Sequence, residues 1–215
     1  MVEKNTIYEI ILSTYNQQNE PHAAPMGIIL NDKNQIHLNF YEGATSCKNL
    51  ESTKQGVINF SWDPCLFVDC TFFNDQLASD IFQKAPRINA PFLKPCKGNY
   101  WTFIVKEKRI DKTNNKIRFI CEIQSEKTID LSPRVYTRAF SSLLEILIHS
   151  TRVIAFLEPN HPQSFQLPEL RQLIVHHSSL IKRVTPENSL YRTLLSKTIN
   201  HLQQIDMGYN YNEVY

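Results

Sequence analysis

The first 60 residues read as strands separated by polar turns. "TIYEIILSTY" (6–15) is rich in β-branched and aromatic residues and predicts a strand. The cluster "NQQNE" (16–20) predicts a turn, "PHAAPMGIIL" (21–30) a returning strand, and "NDKNQ" (31–35) a second turn. "IHLNFY" (36–41) alternates apolar and polar residues, the period of a half-buried strand. "EGATSCKNLESTKQG" (42–56) predicts a short helix that Thr45 or Ser46 would cap, and "VINFSW" (57–62) a fourth strand. Residues 63–99 carry Pro64, Pro86, Pro91 and Pro95 and read as loops with a helical turn near 76–83. "YWTFIVKEKRID" (100–111) and "KIRFICEIQSE" (116–126) predict a hairpin joined through "KTNN".

From Ser132 the period changes to 3.6. Three helices are predicted, over 136–158, 167–184 and 185–206, the last opening on Thr185-Pro186-Glu187. Strands followed by helices predict an α+β fold, with a β domain over 1–130 and a helical unit over 131–215.

Composition narrows the function classes. A net charge of +2 in 215 residues gives no electrostatic case for a nucleic-acid partner. None of the five Cys forms a C-x-x-C pair, the start lacks a long apolar segment, and no apolar run approaches the roughly 18 residues of a membrane span. The expectation is a reduced, cytoplasmic protein with no membrane partner. The seven His fall at no metal-ligand spacing, and the adjacent His176 and His177 diverge by about 100° on a helix, so no protein-bound metal is expected. The chain has no G-x-G-x-x-G, P-loop or G-x-S-x-G motif, which argues against a Rossmann site, an NTPase or an α/β-hydrolase.

Three stretches could carry chemistry. In the run Ala23, Ala24, Pro25, Met26 and Gly27, the residues Ala23, Ala24 and Gly27 present almost no side chain, in a chain of only 5 Gly. Such a strand leaves room for a flat ligand, and it would equally suit a barrel corner where the chain bends. Pro25 cannot donate to a ladder, so the strand is an edge, bulged or bent there. In "GATSCKNL" (43–50), Thr45 and Ser46 precede Lys48 and Asn49 at a helix start, where free N–H groups favour a phosphate; an ordinary capped helix fits the same residues. Cys47 there is either a thiol of lowered pKa or a buried one. On the long helix Arg138, Ser142, Glu145, His149 and Arg152 fall within an arc of roughly 80° on an otherwise apolar surface. That narrow stripe is expected to face a cleft or an interface, where Arg138 and Arg152 would suit a phosphate; a solvent-facing, salt-bridged stripe is the alternative.

Together the first two stretches resemble the flavin-binding split β-barrel family. Its flavin reductase members carry Thr-x-x-Asn at the helix start, then a strand ending in Asn; here Ser46-Cys47-Lys48-Asn49 and Asn59 stand in those places. More closely, "YEIILSTYN…PHAAPMGI" and "YTRAFSSLLEILIHSTR" are similar to the domain of unknown function 447 branch, over most of residues 7–155. The chain departs in having "QQNE" at the first turn and Ser46 for Thr.

The resemblance implies a split β-barrel of the flavin-reductase type over 1–130, with the helical unit packed on it. It implies a homodimer with FMN at the subunit interface, acting as an FMN-dependent oxidoreductase. The alternative is a module that holds flavin, or haem, without turnover. On this reading Ala24, Pro25, Met26 and Gly27 line the flavin ring. Thr45, Ser46 and Asn49 hold its phosphate, with Asn59, Arg138, His149 and Arg152 as further cofactor contacts. No catalytic residue is implied.

Overall fold

The computed structural model describes residues 7–31, 35–111, 116–127 and 137–211. The "KTNN" turn and the expected boundary near 130 lie outside the described residues. The chain divides into two compact units, residues 1–62 with 73–132 and residues 63–72 with 133–215.

The first unit is a closed antiparallel barrel. Its strands are β1 (Ile7–Tyr15), β2 (Pro21–Leu30), β3 (Gln35–Tyr41), β4 (Gln55–Asn59), β7 (Tyr100–Asp111) and β8 (Lys116–Lys127), in the order β1-β2-β3-β8-β7-β4. The alternation in "IHLNFY" is realised on β3, where Ile36, Leu38 and Phe40 are buried and face the core. Ile10, Leu12, Ile28, Ile58, Phe103 and Phe119 fill the same interior, and Phe40 meets Phe119 edge-on at 5.6 Å. Helix α1 (Thr45–Thr53) contributes Cys47 and Leu50 to this core. Gly56 on β4 lets Phe103 lie close: a Cβ there would sit 2.5 Å from Phe103 Cζ.

The cap expected from Thr45 or Ser46 is not made. Ala44 occupies the N-cap position, no side chain caps the helix, and Thr45 and Ser46 already lie inside it.

Residues 63–99 hold more structure than loops with one helical turn. Pro64–Phe72 is helix α2; 3-10 turns follow at Asn74–Gln76 and Ser79–Ile81, then a two-stranded sheet of β5 (Phe82–Lys84) and β6 (Pro91–Leu93). Asp63 Oδ1 accepts from Cys65 N at 2.9 Å, with Pro64 as the first helical residue. Five of the nine α2 residues are buried, among them Leu66, Phe67 and Val68, so the amphipathic period that marks a surface helix is weak there.

The second unit packs α2 with α3 (Arg138–Phe156), α4 (Leu167–Val184) and α5 (Leu190–Ile205). Thr137 caps α3 by accepting from Ala139 N at 3.3 Å. Helix α5 starts at Leu190 under Ser189, whose Oγ accepts from Arg192 N at 3.2 Å, and not at Thr185-Pro186-Glu187; the Thr185 hydroxyl instead donates to Ile181 O on α4. Helix α3 is, among the described residues, long and apolar enough by composition to cross a membrane, contrary to the expectation that no run would be. With 56% of its apolar window buried inside the protein, it reads as a core helix.

Candidate functional site

One edge of β2 is only partly paired within the barrel. β2 pairs with β1 from Pro21 to Ile29, yet its ladder to β3 covers only Ile28, Ile29 and Leu30. From Pro21 to Gly27 one edge of β2 therefore has no strand partner among the described residues. Asn74 covers part of it: its Oδ1 accepts from Ala23 N at 3.3 Å and its Nδ2 donates to Ala23 O at 2.6 Å. Ala23 thus points its peptide groups away from β1. The two-residue alternation of antiparallel strands then puts the groups of Pro25 and Gly27 on the same outward edge. Pro25, which has no N–H to offer a neighbour, fits that position. Ala24, Pro25, Met26 and Gly27 are all half-buried.

Gly27 has a different use from the one its small-residue run suggests. A Cβ there would lie 3.1 Å from Ile7 Cγ2 and 3.3 Å from Glu9 Oε1. Directly above Gly27 lie the ends of the Ile7 and Glu9 side chains of β1. What the stretch presents is its backbone edge.

At the start of α1, Ser46 is 3% exposed and its Oγ is a buried polar atom with no hydrogen-bond partner. Thr45 and Lys48 are exposed beside it. With no side-chain cap, the first N–H groups of this helix lack intrahelical acceptors. A cavity of about 390 Å³ opens against the same element, lined by Gly43, Cys47, Lys48 and Glu51, with Lys108 and Lys116 opposite.

Asn49 and Asn59 are bound inside the protein. Asn49 Nδ2 donates to Thr14 Oγ1 at 3.0 Å. Asn59 is fully buried; its Nδ2 donates to Ile11 O and Ser13 Oγ at 2.9 and 2.8 Å, and its Oδ1 accepts from Leu93 N at 2.8 Å. Asn59 therefore fastens β1, β4 and β6 together, and its amide has no hydrogen left over for a ligand. The Cys47 thiol is buried, and burial followed by Glu51 raises its pKa to about 11, so the helix start does not activate it.

The stripe on α3 divides. Arg138, Glu145 and Arg152 are exposed, whereas Ser142 and His149 are buried. The three charges thus face outward from the chain. His149 Nε2 lies 3.6 Å from Glu145 Oε2, one turn away. His177 on α4 joins them, its ring 6.0 Å from that of His149 and its Nδ1 3.4 Å from Ser142 Oγ. The sequence reading weighed His177 only against its neighbour His176, because nothing in linear spacing ties it to a residue 28 positions earlier.

The DUF447 family model, described as the N-terminal domain of a protein of unknown function, matches residues 8–130. Among solved structures, the chain is similar to an FMN-bound protein of the same family from Methanosarcina mazei, with a TM-score of 0.72 and 22% identity over 95% of this chain and 96% of that one. It is also similar to a protein with a split barrel domain from Shewanella frigidimarina NCIMB 400, with a TM-score of 0.50 and 13% identity over 62% of this chain and 75% of that one. The six-stranded barrel thus has the split β-barrel fold, and the protein belongs to the DUF447 family.

Proposed function

We propose that the barrel binds FMN and that the protein is an FMN-dependent oxidoreductase. The observation that carries the reading is the uncapped start of α1 with the orphaned Ser46 hydroxyl, in a chain whose Methanosarcina mazei relative is FMN-bound. A buried hydroxyl without a partner costs free energy, and a phosphate oxygen would satisfy it. The exposed Thr45 hydroxyl, the first N–H groups of α1 and the Lys48 ammonium would supply further donors to a dianion.

Bound flavin would supply the redox chemistry, a two-electron exchange with a donor and an acceptor. The chain's own part is to orient and tune it. The free edge of β2 offers the carbonyl of Pro25 and the N–H of Gly27 to the polar rim of the ring. Asn49 and Asn59 hold the strands and helix that position these groups. A second copy of the chain is expected to complete the cleft, as a homodimer. The five thiols, none in a disulfide, fit a reducing compartment such as the cytoplasm.

Purified protein tests this. A yellow solution that releases FMN on denaturation, by mass spectrometry, and bleaches under NADH or NADPH is the expected result. Yellow protein that no nicotinamide reduces would make it a flavin carrier. Colourless protein that takes up no added FMN, or one with a Soret band, would overturn the proposal.

A further inference from the structure

The structure places three metal-ligating side chains together in the helical unit, and this cluster does not depend on the flavin reading. Glu145 and His149 sit four residues apart on α3, so they share one face. His177 reaches them from α4, which packs against α3. One ligand atom from each of the three lies within 4.8 Å of the others. We propose that Glu145, His149 and His177 bind a divalent transition ion of zinc-like chemistry, with one coordination position left for water or a further ligand.

The donor set selects this class of ion. Two imidazoles and one carboxylate suit zinc and its neighbours, whereas magnesium and calcium prefer oxygen alone. Zinc bonds to nitrogen and oxygen are roughly 2.0–2.2 Å, so tetrahedral ligand atoms sit about 3.3–3.5 Å apart. The Glu145–His149 pair, at 3.6 Å, is already there. The remaining closure falls to Glu145, whose side chain is 49% exposed, and to the half-buried His177.

His149 supplies the second observation. It is 8% exposed, and its Nδ1 is buried with no hydrogen-bond partner. The ring approaches Glu145 through Nε2, and the orphaned Nδ1 leaves the ring without the hydrogen bond that would otherwise fix its tautomer. Ser142 Oγ, 3.4 Å from His177 Nδ1, can accept a hydrogen bond from Nδ1–H and so leave Nε2 as the nitrogen that binds the metal. Glu169 and Arg152 also act on His149, the carboxylate favouring a cation and the guanidinium opposing it.

The test is calorimetric titration of Zn²⁺ into tag-free, chelator-treated full chain. The expected result is one site per chain, weakened at least tenfold in His149→Ala, His177→Gln and Glu145→Gln. Zinc should also raise the thermal midpoint of the wild type and not of these variants. Should His149→Ala fail to fold, the two substitutions at less buried positions decide the matter. Cys65→Ser controls for the most accessible thiol and should bind zinc as the wild type does. No zinc binding by the wild type, or equal binding by His177→Gln and Glu145→Gln, would overturn the proposal, whatever the flavin content.

Discussion

Substituting Arg171 by Ala should destabilise the helical unit by about 3 kcal/mol. Arg171 Nε and Nη2 donate to the two oxygens of Asp206 at 2.8 and 2.7 Å, and Tyr211 Oη donates to the same carboxylate at 2.5 Å. Asp206 is 3% exposed and ends α5, where the helix dipole disfavours an anion. Only Arg171 brings a positive charge to it in this network, and its guanidinium also lies 5.1 Å from the centre of the Tyr209 ring. Removing one partner of a buried pair typically costs about 3–5 kcal/mol because the other charge stays buried. The Arg171 side chain is 20% exposed, so the lower end applies. The exposed pair Lys197–Asp69, at 2.8 Å in the same unit, is the control; such pairs contribute roughly 0–1 kcal/mol. Urea unfolding followed by circular dichroism measures both. With a slope of about 1–3 kcal/mol per molar, the Arg171→Ala midpoint should fall by at least roughly 1 M, while that of Lys197→Ala barely moves. Equal, small shifts in the two variants would mean that water reaches Asp206 and that burial does not set the strength of this network.

Three further outcomes are expected. Gly56→Ala, with its new methyl 2.5 Å from Phe103 Cζ, should cost about 1–3 kcal/mol by overpacking, read as a lower thermal midpoint; an unchanged midpoint would mean that Phe103 moves freely. Thr45→Ala with Ser46→Ala should weaken FMN binding at least tenfold in a fluorescence titration, since each hydrogen bond to a charged group is worth about 1.5–3 kcal/mol; equal affinity with an intact fold would remove α1 from the site. For Cys47, burial raises the thiol from 9.0 to about 11, so the unfolded chain loses this proton first as pH rises. That contribution to stability is present below pH 9 and lost between about 9 and 11, and alkylation at pH 8 should label Cys65 before Cys47; early labelling of Cys47 would contradict its burial.

What the sequence makes legible is what local pattern determines. The period of two on β3 and of 3.6 on α4 each follow from which face an element buries, and both elements appear where the pattern puts them. Helix α2 has no such face. Buried on several sides, its run "PCLFVDCTF" carries no period, and only the Asp63-Pro64 start signal could have revealed it. Start signals themselves are ambiguous, because a hydroxyl near a helix end has several possible partners. Ser189 caps α5 while Thr185 donates back to α4, and Ser46, read as a cap, is left with no partner at all.

The site residues divide along the same line. Asn59 is placed correctly at the end of β4, but only the fold shows that both sides of its amide are spent on Ile11, Ser13 and Leu93. Gly27 looks from sequence like space kept for a ligand, whereas the ends of Ile7 and Glu9 on the neighbouring strand lie directly above it. In both cases a partner distant in sequence decides the role. The Glu145, His149 and His177 cluster extends the point. Two of its three residues are visible as a one-turn repeat on α3, and the third joins them only because α4 packs against α3. Residues whose role depends on an adjacent turn can be assigned from the chain; those whose role depends on a crossing element need the packing first. By that rule the α1 start, although contained within one turn, needs the packing as well: Asn49 is bonded to Thr14 on β1, and Ser46 is buried without a partner.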